Sequence, residues 1–418
     1  MSFASLYAAI SGLSSFTRAM TVIGNNISNV NTVGFKASRI SFGELLNQNF
    51  AGVVGRYQIG RGVRVSTVQR IFDQGSFMST NSVTDLAIDG NGFFVVSDGI
   101  SNYYTRAGQF VLSKEGKLMN NLGYVVQGYE LNAEEDIIQN ILTDIDLSNV
   151  ITDPKATSEV EVFVNLNSEE EAVAAPFDPD DPSTFHFTTT ATVYDSQGNE
   201  HYITFFFTKV GDNTWDWNTT VDGSYAPTNP NGTLTFTTEG RLDTETPATF
   251  TLNFGGGVGA QDITFDFGDS ITTDGGDGTG TTQFAGLSET EDVNQDGYAA
   301  GKLMNIQISP DGKIRGLFTN GQYKNLYQIA LARFRSPWGL LSIGGNLFEE
   351  SEQSGEPLIG VSGTSGLGRV FSNSLEFSNV DLAREFVEMI RTQQAFQANS
   401  RVITTTDQLL QEVINLKR

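Results

Sequence analysis

Residues 292–297 read Asp-Val-Asn-Gln-Asp-Gly, the opening of a calcium-binding loop. Such a loop needs a bidentate glutamate at its twelfth position, and that position is Leu303. The run is therefore expected to be a plain turn. The two histidines, His186 and His201, lie among strand-forming residues, with no metal-ligand spacing and no nucleophile motif beside them. Zero cysteines rule out disulfides, thiolate metal sites and cysteine nucleophiles. No glycine-rich phosphate loop stands between a strand and a helix. The many carboxylates read first as a solvated face. The expectation is a chain that is no enzyme and holds no metal or cofactor.

The strongest pattern lies at the two ends. From Leu6 the apolar positions run Ala9, Leu13, Phe16, Met20, Ile23, Ile27 and Val30, in alternating steps of three and four, which is an a/d seam. At the other end Leu382, Met389, Phe396, Ile403 and Leu410 recur every seven residues, with Phe386 and Ile414 on the half-heptad. Polar Gln393, Ser400 and Asp407 interrupt this second seam. Two such stripes at opposite termini predict helices that pair as a coiled coil, so that the chain leaves the pair, folds elsewhere and returns. Gly12 and Gly24 each cost the first helix about 1 kcal/mol relative to alanine. Alone it is expected to be marginal, and to order when neighbours arrive.

A length of 418 residues predicts two to four domains, and 44 glycines against 10 prolines predict many tight turns and a β-rich interior. There is no run of 18 apolar residues, so no membrane-spanning helix is expected. Nor does the amphipathic first helix, with no Lys or Arg before it, resemble a Sec signal. The net charge of -24 is uneven. Residues 146–300 hold 27 acids against three bases, whereas residues 1–70 hold seven bases against one acid. Nucleic acid is not expected as a partner, because no basic stripe with interleaved aromatics exists beyond Arg56, Arg61, Arg64 and Arg70. The middle of the chain is expected to be solvated, and the ends to tolerate close contact.

Along the chain, residues 35–75 alternate as an extended connector. Strand and turn signals then recur in two legs, 76–145 (with the turn Asp89-Gly90-Asn91-Gly92) and 286–365 (with Pro310-Asp311-Gly312), and are expected to form one β-domain. Residues 146–285 form an acidic insert between the legs, bounded by Ser168 to Ser183 and Gly268 to Gly286. Its strands predict a β-barrel or sandwich. The fold class is thus multidomain and mainly β with terminal α-helices.

The turn that ends the first helix carries a wider pattern. The sequence from Ile10-Ser11-Gly12-Leu13 through Asn25-Asn26 and Asn29 to Asn31-Thr32-Val33-Gly34-Phe35-Lys36 resembles the N-terminal signature of bacterial flagellar axial proteins, the rod, hook and hook-associated subunits. Within that family the insert, with Thr192-Val193-Tyr194-Asp195-Ser196-Gln197-Gly198-Asn199 and Trp215, looks like the outer domain of hook subunits. So do Ser378-Asn379-Val380-Asp381-Leu382 and Gln397-Ala398-Asn399-Ser400-Arg401 near the end. The resemblance implies an open helical homopolymer, a flexible tube coupling rod to filament. In it the helices of 1–34 and 366–418 line a channel, the two-legged β-domain makes the wall and the insert faces outward. Its implied partners are copies of itself, the distal rod, the hook cap, the hook–filament junction proteins and the flagellar type III export apparatus. That export route implies an extracellular home without a Sec signal. The expected interface residues are the apolar positions of both seams, Asn25, Asn26, Asn29, Asn31, Gly34 and Phe35. A distal rod subunit would share both ends but generally lacks such an insert. A secreted carbohydrate-binding or adhesive module is the reading outside the family.

Overall fold

The computed structural model describes residues 3–45, 48–52, 55–132, 137, 141–225, 229–246, 249–255 and 257–416. The chain divides into two compact units. One comprises Met1–Asn149, Asn305–Leu317 and Tyr323–Arg418, the other Val150–Met304 and Phe318–Gln322. The fold is mainly β, with a helix near each end of the chain.

In the first unit, helix α1 spans Phe3–Ser28 and helix α2 spans Leu382–Leu416, and the two pack together. α1 contains no proline and runs through Gly12 and Gly24 to its asparagine-rich end, where the Asn29 amide turns back to the carbonyls of Asn25 and Asn26 and Gly34 takes φ +67°. Residues expected to run as an extended connector instead double back. Strand Ser38–Glu44 pairs antiparallel with Val63–Arg70, and Gln48–Gly52 with Gly55–Ile59. The alternating apolar positions meet across the hairpin, Ile40 opposite Val68 and Phe42 opposite Val65, and cross-strand side-chain pairing stabilises that return. Beyond it, the late strand Tyr323–Arg333 pairs with two early ones, Val125–Glu130 and Phe93–Ser97. The two legs thus share one sheet. Its core gathers Phe93, Val95, Tyr104, Ala330, Phe334 and Phe348.

The second unit is built from two sheets around a single apolar core. Five antiparallel strands, Phe187–Tyr194, Glu200–Gly211, Thr214–Val221, Asn231–Phe236 and Leu242–Thr246, form the first. Thr249–Leu252, Gln261–Asp266, Glu159–Asn165 and Glu289–Gln295 form the second. Strict alternation along Glu159–Asn165 sends Val160, Val162 and Val164 inward to meet Phe205, Phe207, Trp215, Trp217, Phe265 and Phe267. The insert, expected to close at 285, extends to 304: Glu289–Gln295 pairs along Glu159–Asn165, from Val160 opposite Gln295 to Asn165 opposite Glu289. The calcium-like run also differs from the expected turn. Its first four residues lie in that strand, and only Asp296 bends the chain.

Candidate assembly site

At the base of the helix pair, a set of long-range polar contacts binds the two ends of the chain to the β-sheet. Asn26, 1% exposed, donates through Nδ2 to Ser38 O (2.8 Å) and to Glu385 Oε1 on α2 (3.1 Å), while its Oδ1 accepts from Ser38 N (2.9 Å). One side-chain amide therefore joins the end of α1, the start of the hairpin and the first turn of α2. Asn379 does the same from the other terminus, accepting from Ala37 N (2.8 Å) and donating to Ile71 O (2.8 Å) and Asp73 O (3.0 Å). Below them lies a buried ion cluster. Lys36 Nζ meets Glu376 Oε1 at 2.6 Å, and Arg106 Nη1 meets Glu376 Oε2 at 3.3 Å. Burial pulls both the Lys36 ammonium and the Arg106 guanidinium below their ordinary pKa, against the opposing attraction of Glu376. Gly34 closes the corner, donating to Glu376 O; at its positive φ an added Cβ would lie 2.5 Å from Ala107 N.

Above this base the helices run antiparallel. Asn26 touches Glu385, and fourteen residues back along α1 a Cβ on Gly12 would lie 2.8 Å from Asn399 Oδ1, fourteen residues on along α2. The innermost line of α1 is Ala9, Gly12, Ser15, Ala19, Ile23 and Asn26, mostly small residues that let the backbones approach. Of the expected seam, Ile23 is buried and Leu6, Leu13, Phe16, Met20, Ile27 and Val30 are half-buried. Phe16 also packs on Phe42 of the hairpin, with ring centroids 5.6 Å apart. On α2, Met389, Phe396, Ile403 and Leu410 are half-buried, alongside half-buried Glu385, Asn399 and Thr406 and buried Thr392. The inner half-heptad is thus polar and lies one residue before Phe386. Leu382, Phe386 and Ile414, expected inside, are 40%, 50% and 65% exposed. At the turn, Phe35 and Gly34 are buried, Asn29 is half-buried, and Asn25 and Asn31 are exposed.

The histidines serve the second unit. The ring of His201 stacks on Phe254 at 4.1 Å and lies 2.7 Å from Asp222 Oδ2, and His186 Nδ1 accepts from Lys209 N (3.1 Å). Asp296 accepts from Ser158 and Lys155, and those hydrogen bonds hold its carboxyl well below the usual range against the opposing effect of burial. Among the described residues, no group of three His, Cys, Asp or Glu is placed to hold a metal ion. No described helix is long and apolar enough to cross a membrane.

The polar contacts at the helix base join the two ends of the chain, and similarity to known proteins follows the same lines. Residues 6–36 match the flagella basal body rod protein family, and residues 372–416 the C-terminal segment of the flagellar basal body rod FlgEFG proteins. Residues 87–163 match the flagellar hook protein FlgE/F/G D1 domain, and residues 165–298 the flagellar basal body protein FlaE D2 domain. These matches define a chain of the flagellar rod and hook class. Over its full length it is 36% identical to the flagellar hook protein FlgE of Borreliella burgdorferi, covering 99% of both chains. It is 34% identical to FlgE of Salmonella typhimurium, covering 98% of this chain and 99% of that one. The chain belongs to the flagellar hook protein FlgE family, a family of structural proteins. The crystal structure of Helicobacter pylori flagellar hook protein FlgE2 is a looser match, with a TM-score of 0.45 and 15% identity, over 70% of this chain and 98% of that one.

Proposed function

We propose that this chain is the repeating structural subunit of a flagellar hook, and that it polymerises through its terminal helices into an open helical tube. The observation that carries the reading is the outer side of α2. Phe386 and Ile390, 50% and 54% exposed, stand roughly 100–140° round the helix from Glu385, which faces α1. Leu382 and Val387 extend the same apolar surface, 40% and 49% exposed. A family of hook subunits supplies its occupant, the helices of neighbouring copies. In the tube the helices line the channel, the β-unit containing Phe93 builds the wall, and the acidic second unit faces solvent. The tube acts as a flexible coupling, transmitting torque from rod to filament. Its ends meet the distal rod, the hook cap and the hook–filament junction proteins, and subunits reach it through the flagellar type III export apparatus.

Phe386→Asp tests this. The position is solvent-exposed in the monomer, so the variant should match the parent in circular dichroism and thermal melting, yet form no tubes by electron microscopy because a charge buried between copies costs several kcal/mol. Normal tubes from this variant would sink the proposal. In cells, a strain lacking the gene should be hookless.

A further inference from the structure

A cavity of about 290 Å³ opens in the first unit between Phe72, Phe93, Phe334, Arg106, Arg333 and Arg335. Three arginines line it together with three phenylalanines, in a chain whose net charge is -24. The cationic charge is not cancelled locally. Arg106, 4% exposed, donates to Ile88 O (3.3 Å) and Gly90 O (2.6 Å), and among the described residues it shares its one carboxylate partner, Glu376, with Lys36, so two buried cations stand on a single anion. The buried Nε of Arg106 has no hydrogen-bond partner, and its guanidinium lies 5.5 Å from the centroid of Phe93. Arg333 donates to Ser365 O (3.1 Å), and among the described residues no carboxylate forms an ion pair with Arg333 or Arg335.

We infer that this cavity is an anion site, and that it takes a carboxylate side chain presented by a second copy of this chain. Guanidinium forks match carboxylate oxygens in geometry and form charge-assisted hydrogen bonds, and apolar walls strengthen those bonds by excluding water. The volume is near the lower end for small-ligand pockets, which suits one acidic side chain and its neighbour better than a folded element. Charge complementarity names the donor, since the chain has 49 acids against 25 bases and residues 146–300 hold 27 of those acids. The second-copy source rests on the polymer reading above, whereas the anion chemistry does not.

The test uses the full chain, with sodium acetate and inorganic phosphate as probes. NMR of the Arg106 Nε–H signal in the monomer should show a saturable shift with either probe. Binding should weaken about tenfold on loss of one charged hydrogen bond in Arg333→Gln or Arg335→Gln. Arg335 is exposed, so its variants should melt as the parent does. In assembly, Arg335→Glu should raise the critical concentration for tube formation at least several-fold, and high acetate should do the same to the parent. No saturable shift at Arg106 overturns the site. A saturable shift with tube formation indifferent to both Arg335→Glu and acetate overturns the second-copy source and assigns the cavity to a free small anion. A parent chain that never forms tubes is a failure of the polymer reading, and the acetate titration still decides the site by itself.

Discussion

Single residues hold the base of the helix pair through partners hundreds of positions away. Glu376 is fully buried and pairs with both Lys36 and Arg106, so Glu376→Gln removes the carboxylate that the two cations share. We expect a loss of about 3–5 kcal/mol in chemical denaturation, the range for breaking a buried pair by removing one partner. A second buried carboxylate carries a pH signature. Glu245 accepts from Phe267 N (3.1 Å), and burial, with Asp266 and Asp274 near, pushes its pKa up to about 7. The folded state then holds this proton more tightly than the unfolded chain, where a glutamate titrates near 4.5. Its contribution is most favourable below pH 4.5 and is lost as pH rises through 7. Glu245→Gln should therefore be more stable than the parent at pH 8, by on the order of 2–3 kcal/mol, and the gain should vanish towards pH 4.5. Fluorescence of Trp215 and Trp217, both in the core of the second unit, follows that melt. Neither carboxylate was legible in the sequence. Glu376 lies 340 positions from Lys36, and nothing local distinguishes Glu245 among the acids of a highly acidic stretch.

At the scale of elements, both terminal helices were legible from their periods, but the residues they turn inward were legible only in part. A seam read from sequence gathers as many apolar residues as the period allows. On α2 this selects Phe386 and Ile414, yet the face towards α1 uses Glu385, Thr392, Asn399 and Thr406 with the apolar Met389, Phe396, Ile403 and Leu410. The reason is that α2 has more apolar surface than one partner can cover, and a linear pattern does not say which part each partner takes. The two α1 glycines separate in the same way. In the sequence Gly12 and Gly24 look alike, each a weak point of the helix. In the fold, a Cβ on Gly12 would press on Asn399, and one on Gly24 meets nothing within 4 Å. Gly24→Ala should therefore raise helix stability by about 1 kcal/mol, seen as increased helicity in circular dichroism. Gly12→Leu should force the helices apart, and hydrogen exchange across 382–416 should speed up relative to the parent.

For the whole molecule, charge and connectivity matter more than any one contact. Stacking copies of a chain with 27 acids against three bases in residues 146–300 sets like charges near one another. With a Debye length of about 30 Å at 0.01 M salt and about 8 Å at physiological strength, added salt should lower the critical concentration for tube formation. Light scattering at the two salt levels measures this, and no change would show that such repulsion is a minor term. In the sequence, turn signals and acidity change together along the chain and set the two legs apart from the insert. The far end of the second unit was not legible, because Glu289–Gln295 is polar and exposed along most of its length and shows itself as a strand only by its pairing with Glu159–Asn165. The connection into that second unit has a practical consequence. The chain goes out through Ile151–Thr152 and comes home through Gly301–Lys302, two segments paired antiparallel with Ile151 opposite Lys302, so the way out and the way back lie about 5 Å apart. Such a doorway makes residues 153–300 an exchangeable cassette, with Phe318–Gln322 left in place: a foreign module whose own ends lie side by side can be grafted there. Because the chain has no cysteine, a single one engineered into the graft would be the sole thiol available for a dye.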